Sequence, residues 1–430
     1  VVNALTKEIY QGKIREQLQD EIVGLKRITR SSSGVTSEVG GKYVTFPIRV
    51  SRNSGIGYRQ EDETLQDAGT QGYARVNIGL KYGYGRVKLT GQAMELAETN
   101  YQSFASTLDR EMSGLKNDIA KDSARIFYGD GTGSWSTIKT PLGTAATTTT
   151  YGVDNPQYFF GQVGAIVDIV ALPVTASAGA DGPKYVEPNS LPQDPALLNA
   201  PLYTGPTVVN TAAALEITGV DVAAKTITVK SLTGNCPVAT AGNIIVRRGN
   251  YGREPYGLAA LVGQQNLFNV DTTKFPVWRS VLNANGGTLR PLSEGSMIKM
   301  TDDVRVQGGV CSLILTSLGV RRAYFNLLTQ QRRYTNTKEF GGGMTGLAFN
   351  NGREIPVVED VDAPPSKMWF LQESDFTVYR DKDWSWLDTD GGIWKWVQNK
   401  DAFEAVNKQY WQIGIERRNS QGLLSDISEA

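Results

Sequence analysis

The residue pattern predicts an α+β protein, and three observations carry that expectation. Apolar residues alternate with polar ones over residues 42–50 and again over 74–84, the two-residue period of half-buried strands. Between Ala97 and Ile126 they recur every three or four residues, as one face of a long helix requires. Elsewhere helical and strand-like pieces follow one another without a regular βα repeat, which argues against a doubly wound sheet or an α/β barrel.

Composition narrows the classes of function. A chain of 430 residues can bury a substantial core without disulfides or structural metals. Lys plus Arg and Asp plus Glu each number 44, so no bulk charge favours nucleic acid or an anionic membrane. The two cysteines, Cys236 and Cys311, form no staple framework and fit a reducing compartment. No apolar run reaches the roughly 18 residues that span a bilayer. VVNALTKEIY at the start is unlike a secretory signal, so the expectation is a soluble chain that is not exported. The chain has no histidine, which excludes a His triad and removes the usual nitrogen ligand of zinc.

Taken in order, Leu5, Ile9, Ile14, Leu18, Ile22 and Leu25 form one helical stripe, either an amphipathic arm or a first helix packed on its own domain. The ribbon follows. Val44, Phe46, Ile48 and Val50 mark its outgoing strand, and Ala74, Val76, Ile78, Leu80, Tyr82 and Tyr84 its return. Between them, Ser51 to Gly72 carries Arg52, Arg59, Glu61, Asp62, Glu63 and Asp67, with Ile56, Tyr58 and Leu65 as its sizeable apolar groups. The apolar phase changes to Val87 and Leu89 near Gly83 and Gly85, which predicts a bulge there.

A helix from Ala93 to Tyr128, about 54 Å long at about 1.5 Å per residue, comes next, with Gly114 as a weak point and YGDGTG at 128–133 as its stop. Residues 134–150 are rich in Ser, Thr, Gly and Ala, and YFFGQVGAIVDIVAL fits a helix or a strand. Residues 171–206 read as an extended connection, and 207–253 as a β-rich insertion. GGVCSLILTSLGVRRAYFNLL begins as a buried strand and becomes a helix near Ser317, whose hydroxyl suits a cap. REIPVVEDV, KMWFLQ and YWQIGIER read as strands.

The motifs that could carry chemistry favour structural roles. GDGTG follows a helix and lacks both the GxGxxG context and a terminal GK[ST], so it reads as a turn. Asp388 and Asp390 in DTDGG do not complete a calcium shell, and the acids of EDVD at 359–362 read as surface charge. No GxSxG or CxxC appears. Trp384, Trp386, Trp394 and Trp396 alternate within pairs, as packing faces do. RRGNYGR and RRAYFNLLTQQRR could hold phosphate, but salt bridges or solvated faces suit them better. No catalytic, cofactor or metal residues are assigned.

The order of these segments resembles the major capsid proteins of tailed double-stranded DNA bacteriophages, which have the HK97-type fold. GGKYVTFPIRV with GYARVNIGLKYGYGRVKLTG resembles the extended loop (E-loop), the Ala93–Tyr128 pattern the spine helix, and NDIAKDSARIFYGDGTG its exit. FPVWRS, GGVCSLILTSLGVRRAYFNLL and GREIPVVEDV resemble segments of the peripheral and axial domains. The resemblance implies an N-terminal arm at 1–38, the extended loop at 39–92, and the spine helix and exit turn at 93–133. It implies a peripheral-domain continuation at 134–206, the β-rich insertion at 207–253, and axial with returning peripheral segments at 254–430.

It further implies a structural protein, not an enzyme and without cofactors. Such a protein assembles as pentamers and hexamers into an icosahedral virion shell around double-stranded DNA, in the cytoplasm of a bacterial host. Scaffold, protease, portal and decoration proteins are the partners it implies, and no membrane. Arg52, Arg59, Glu61, Asp62, Glu63 and Asp67 become candidates for setting register with neighbouring subunits. A ribbon arm of about twenty residues reaches about 60 Å, against a radius of gyration near about 22 Å for a compact body of this length, so the ribbon is expected to project. Some members of the family crosslink their shells through a loop lysine. Residues 51–72 contain none, and Lys42, Lys81 and Lys88 lie towards the base, so a noncovalent shell is expected. The short stretch before the ribbon leaves little room for a large scaffolding segment. The competing classes are a carboxylate-dependent hydrolase and a carbohydrate- or nucleic-acid-binding module.

Overall fold

A computed structural model describes residues 24–31, 43–92, 101–141, 146–171, 207–208, 214–332, 347–350, 354–381, 384–388 and 393–429. The arm stripe from Leu5 to Ile22, the first turns expected for the long helix at 93–100, nearly all of the connection at 172–206, Arg333 and Asp390 lie outside the described residues.

Along the chain, β1 (Thr29–Ser31) precedes β2 (Tyr43–Ser51), β3 (Gly72–Gly79), β4 (Lys81–Thr90) and the long helix α1 (Tyr101–Tyr128). Next come β5 (Ser134–Pro141), β6 (Thr148–Val153), β7 (Ile166–Ala171), β8 (Thr207–Val208), β9 (Leu215–Asp221), β10 (Thr226–Ser231) and β11 (Ile244–Arg247). The last part holds β12 (Val281–Asn283), α2 (Glu294–Val306), β13 (Leu313–Thr316), α3 (Leu318–Arg332), β14 (Leu347–Asn350), β15 (Glu354–Glu359) and β16 (Met368–Leu371). It ends with β17 (Phe376–Arg380), β18 (Ser385–Trp386), β19 (Trp394–Trp396), β20 (Ala402–Ile415) and β21 (Gly422–Leu424).

The ribbon is the expected antiparallel pair, β2 against β3, from Tyr43↔Gly79 outward to Ser51↔Gly72. The bulge expected near Gly83 and Gly85 is not there. β4 runs in unbroken register beside β20, from Lys81↔Trp411 to Thr90↔Ala402. The phase changes because Leu80 and Lys81 are both buried, where the chain leaves the ribbon and enters a different sheet. A register shift does occur in the ribbon, between Arg49 and Ser51. Gly85 has another role: a Cβ there would lie 2.8 Å from Ile119 Cδ1, so its bare backbone lets α1 close onto β4.

β20 organises the first body. β4 pairs along one edge, and β17, β18 and β19 pair along the other, with β1 parallel to β17. A second sheet, in the order β12-β21-β16-β13-β15-β14, packs with α2 and α3 around Met297, Met300, Val304, Ile314, Val320 and Phe370. The expected strand-to-helix switch lies at Ser317, whose hydroxyl accepts from Val320 N–H at 3.4 Å.

The strands expected within 207–253 form, and they share a sheet with β5, β6 and β7. Hydrogen-bonded neighbours run β11-β5-β6-β10-β9-β7 and return to β11, closing six antiparallel strands into a small barrel with β8 appended to β7. The ambiguous YFFGQVGAIVDIVAL resolves into a short 3-10 turn and strand β7. Trp135, Ile138, Tyr151, Ile169, Ile217 and Ile227 fill the barrel, which is wide enough only for side chains. Closure leaves these six strands without an exposed edge.

Candidate assembly surface

The ribbon is anchored at one end and exposed at the other. Val44, Val76, Ile78 and Leu80 sit in the main core, and Asn77 N–H donates to Phe268 O at 3.0 Å. Beyond Gly72 the pairing stops, and Ile56, Tyr58 and Leu65 are 79%, 100% and 83% exposed. The apex is a turn: Glu63 N–H donates to Gln60 O at 3.3 Å, with Asp62 in the left-handed region at φ 63°. Gln66 Nε2 spans the two arms, donating to Ser54 O at 2.7 Å and Ile56 O at 3.1 Å.

All six residues singled out at this tip, Arg52, Arg59, Glu61, Asp62, Glu63 and Asp67, are exposed. Among the described residues none of them forms an ion pair. Of the ribbon lysines, Lys88 is exposed and Lys42 lies outside the described residues. Lys81 is buried, donates to Gly252 O at 3.1 Å, and is lowered to about 8 by burial.

The carboxylates of EDVD are not a surface cluster. Asp360 is 2% exposed, and its Oδ2 accepts from Gly24 N–H at 3.0 Å and Tyr128 OH at 2.8 Å. Its Oδ1 accepts from Asp362 N–H at 3.0 Å. Glu359 pairs with Arg321 at 3.0 Å, and Tyr158 OH donates to the Asp362 carbonyl. Burial, then the Asp360 charge, pushes the Asp362 carboxyl up to about 7. The sequence held no sign of this burial, because the groups that cover Asp360 come from the N-terminal segment and the end of α1.

Nearby, buried Arg125 pairs with Glu254 at 2.7 Å and Asp122 at 2.9 Å. Burial opposes its charge, but the two carboxylates outweigh it and keep the guanidinium protonated. Burial pushes the Glu254 carboxyl up while Arg125 opposes. Each charged group here has a structural partner.

The other motifs behave as packing. Thr132 N–H donates to Asp130 Oδ1 at 2.9 Å in the GDGTG turn, and Gly249 N–H in RRGNYGR donates to Asp168 Oδ2 at 2.8 Å. Arg247 lies over the Trp135 ring at 5.2 Å. Trp386 and Trp394 are half-buried beside β20, and Trp396 meets Phe403 edge-on at 5.4 Å. Asp388 is exposed, and among the described residues no three acidic or thiol side chains converge as a metal site. Cys236 and Cys311 are free and buried in separate cores, with the Cys311 thiol pushed up to about 12 by burial.

No family model matches the chain, and no curated protein matches it. Among solved structures it resembles a chain of the cyanophage A-1(L) capsid asymmetric unit, with TM-score 0.54 and 12% identity over 99% of each chain. It also aligns with a chain of the capsid of an empty GTA particle, with TM-score 0.47 and 10% identity, over 99% of this chain and 96% of that one. A third alignment, with TM-score 0.42 and 8% identity, covers 100% of this chain and 95% of a chain in the holo-SrpI encapsulin complex from Synechococcus elongatus PCC 7942. The likeness to the first, over nearly the full length of both chains, shows a shared fold.

Proposed function

We propose, from the HK97-type fold that this chain shares with a chain of the cyanophage capsid, that it is a structural subunit of a self-assembling protein shell. One observation carries the reading: the ribbon tip exposes three large apolar side chains and six charged ones that form no ion pair among the chain's described residues. Such a surface is a liability on a monomer and an asset in an assembly, where neighbours cover it. The buried carboxylates support the same reading against a hydrolase, since Asp360 and Glu254 are engaged in structural hydrogen bonds.

The finer reading is an icosahedral phage shell of pentamers and hexamers around double-stranded DNA, formed in the cytoplasm of a bacterial host and joined noncovalently. In it, α1 and the β20 sheet belong to the peripheral domain, and the sheet flanked by α2 and α3 to the axial domain. Residues 1–38 act as an arm, and scaffold, protease, portal or decoration proteins join during assembly. Arg52, Arg59, Glu61, Asp62, Glu63 and Asp67 set register at subunit contacts, where ion pairs give alignment more than strength.

Expression of the chain with any required scaffold, followed by sedimentation and negative-stain microscopy, tests the class. Shells or capsomers are expected, and a monodisperse compact monomer under all such conditions overturns it. Nuclease-protected DNA inside purified particles separates a genome-bearing shell from one that encloses protein.

A further inference from the structure

The barrel has a core of its own, apart from the clusters that fill the two body sheets. Two short crossings join it to the body: residues 129–134 lead in from α1, and 247–257 lead back from β11. They run side by side, with Gly252 N–H donating to Thr132 O at 2.9 Å and Gly257 N–H to Gly129 O at 3.1 Å. Arg125 spans the pair, donating to Ser134 O at 3.3 Å on one and pairing with Glu254 at 2.7 Å on the other. Gly131, Gly133, Gly249 and Gly252 hold φ between 69° and 83°, in a region that only glycine enters and leaves freely. Two adjacent crossings of this kind are suited to a hinge, where a few residues absorb a rotation.

Away from the crossings the barrel meets the loop that follows β15. Tyr158, in the 3-10 turn between β6 and β7, donates its hydroxyl to the Asp362 carbonyl. Lys367 on the same loop is lowered by burial, while Asp130 of the exit turn and Asp154 of the barrel oppose, so loop and barrel also face each other through charge. The Asp362 carboxyl faces Asp360 of its own loop and Arg125 of α1, and is pushed up to about 7. Tyr158 and Tyr128 complete the group, and burial raises both hydroxyls. When Asp362 ionises in the closed position, its charge is desolvated beside that of Asp360, and separation of barrel and loop lets water reach it.

We propose that the barrel is a hinged module, pivoting on the paired crossings, and that the contact of Tyr158 with the Asp362 loop is a latch that holds in acid and loosens as pH rises. The barrel swings as one body and its strands stay paired. The sign follows from linkage: the closed state holds the Asp362 proton more tightly than the open one, so the ratio of open to closed rises with pH until the closed-state value is passed. Opening adds Tyr158 to an edge where Phe160 and Val163 are already exposed, and so enlarges an apolar contact surface. The device belongs to the single subunit and does not depend on the shell reading.

Two measurements on the full chain test it between pH 5 and 8. Nitroxides at Lys230→Cys on the barrel and Glu354→Cys on β15, both exposed positions, report the barrel's placement by pulsed spin–spin distances, and the native thiols are buried. One distance is expected at pH 5, with a second, displaced population growing towards pH 8. Amide exchange, corrected for its intrinsic pH dependence, is expected to rise together in residues 156–161 and 360–366. The rise is up to about tenfold per pH unit to pH 7 and then levels, while β9 and β10 stay protected. Asp362→Asn, which cannot ionise, is expected to stay closed at pH 8. Tyr158→Phe is expected to exchange about fivefold faster at pH 5 and to keep the pH slope.

A single distance at every pH, with level exchange, overturns the hinge. Loss of protection in β9 and β10 along with the loop also overturns it, since the barrel then melts and does not swing. A pH slope that survives Asp362→Asn, or unchanged exchange in Tyr158→Phe, removes the latch. None of these results bears on whether the chain builds shells.

Discussion

Asp360 Oδ2 accepts the Tyr128 hydroxyl at 2.8 Å, joining the last residue of α1 to the end of β15. The same oxygen takes Gly24 N–H at 3.0 Å, so one carboxylate ties the N-terminal segment, the long helix and the β15 sheet together. Asp360→Ala leaves both donors buried without an acceptor, a loss of about 2–4 kcal/mol in unfolding free energy. Tyr128→Phe removes one bond and costs about 1 kcal/mol. Denaturant melts of unassembled subunits measure both, and equal small effects would deny Asp360 this role.

Asp362 makes stability depend on pH. Its folded value, about 7, lies above the ordinary 3.8, so the folded state holds the proton more tightly than the unfolded chain. The contribution is full below the ordinary value, declines as pH rises towards 7, and is lost above it. Asp362→Asn is expected to flatten that decline and to melt higher than the parent at pH 8. Parallel melting curves from pH 5 to 8 would show that Asp362 does not titrate in this range.

Two glycines in or against α1 predict opposite signs. A side chain at Gly85 meets Ile119 Cδ1 at 2.8 Å and Leu115 at 3.2 Å, so Gly85→Val is expected to cost about 1–3 kcal/mol by forcing the helix off β4. Gly114 lies within α1, and a Cβ there meets nothing within 4 Å. Gly114→Ala is expected to stabilise by about 0.5–1 kcal/mol, read from the same melts.

On the shell reading, the ribbon tip is expected to contribute to assembly and not to the monomer. Replacing residues 56–66 with a Gly-Ser linker of equal length is expected to leave the melting temperature of unassembled subunits within about 2 °C, because these side chains are exposed apart from Gln66, which bonds only within the tip. Particle yield in the same preparation is expected to collapse. A melting point that falls sharply would place the tip in the fold instead.

The ribbon lysines predict a noncovalent shell. Lys81 is held within the core by Gly252 O, and none lies between residues 51 and 72. Denatured, reduced particles are expected to run as a single monomer band, and a ladder of higher oligomers would refute this.

Local order was legible in the sequence wherever a short window holds the whole signal. The two-residue period announced β2 and β3, the helical period and the glycine turn announced α1 and its end, and Ser317 marked the start of α3. The polar strands SWSTIKTP and TTTYGV show little hydrophobic contrast, so their place in the barrel was hidden until β7 met β11. The apolar shift after Tyr84 was visible as a phase change but not as a change of sheet, since β20, more than 300 residues on, supplies the partner strand. Short-range pattern thus specified β2, β3, α1, the switch at Ser317 and the sparse, charged ribbon tip. Tertiary structure alone decided the barrel's closure, the burial of Asp360 and the meeting of Tyr158 with Asp362. Periodicity and capping act over a few residues, whereas burial and strand pairing depend on groups brought together from distant parts of the chain.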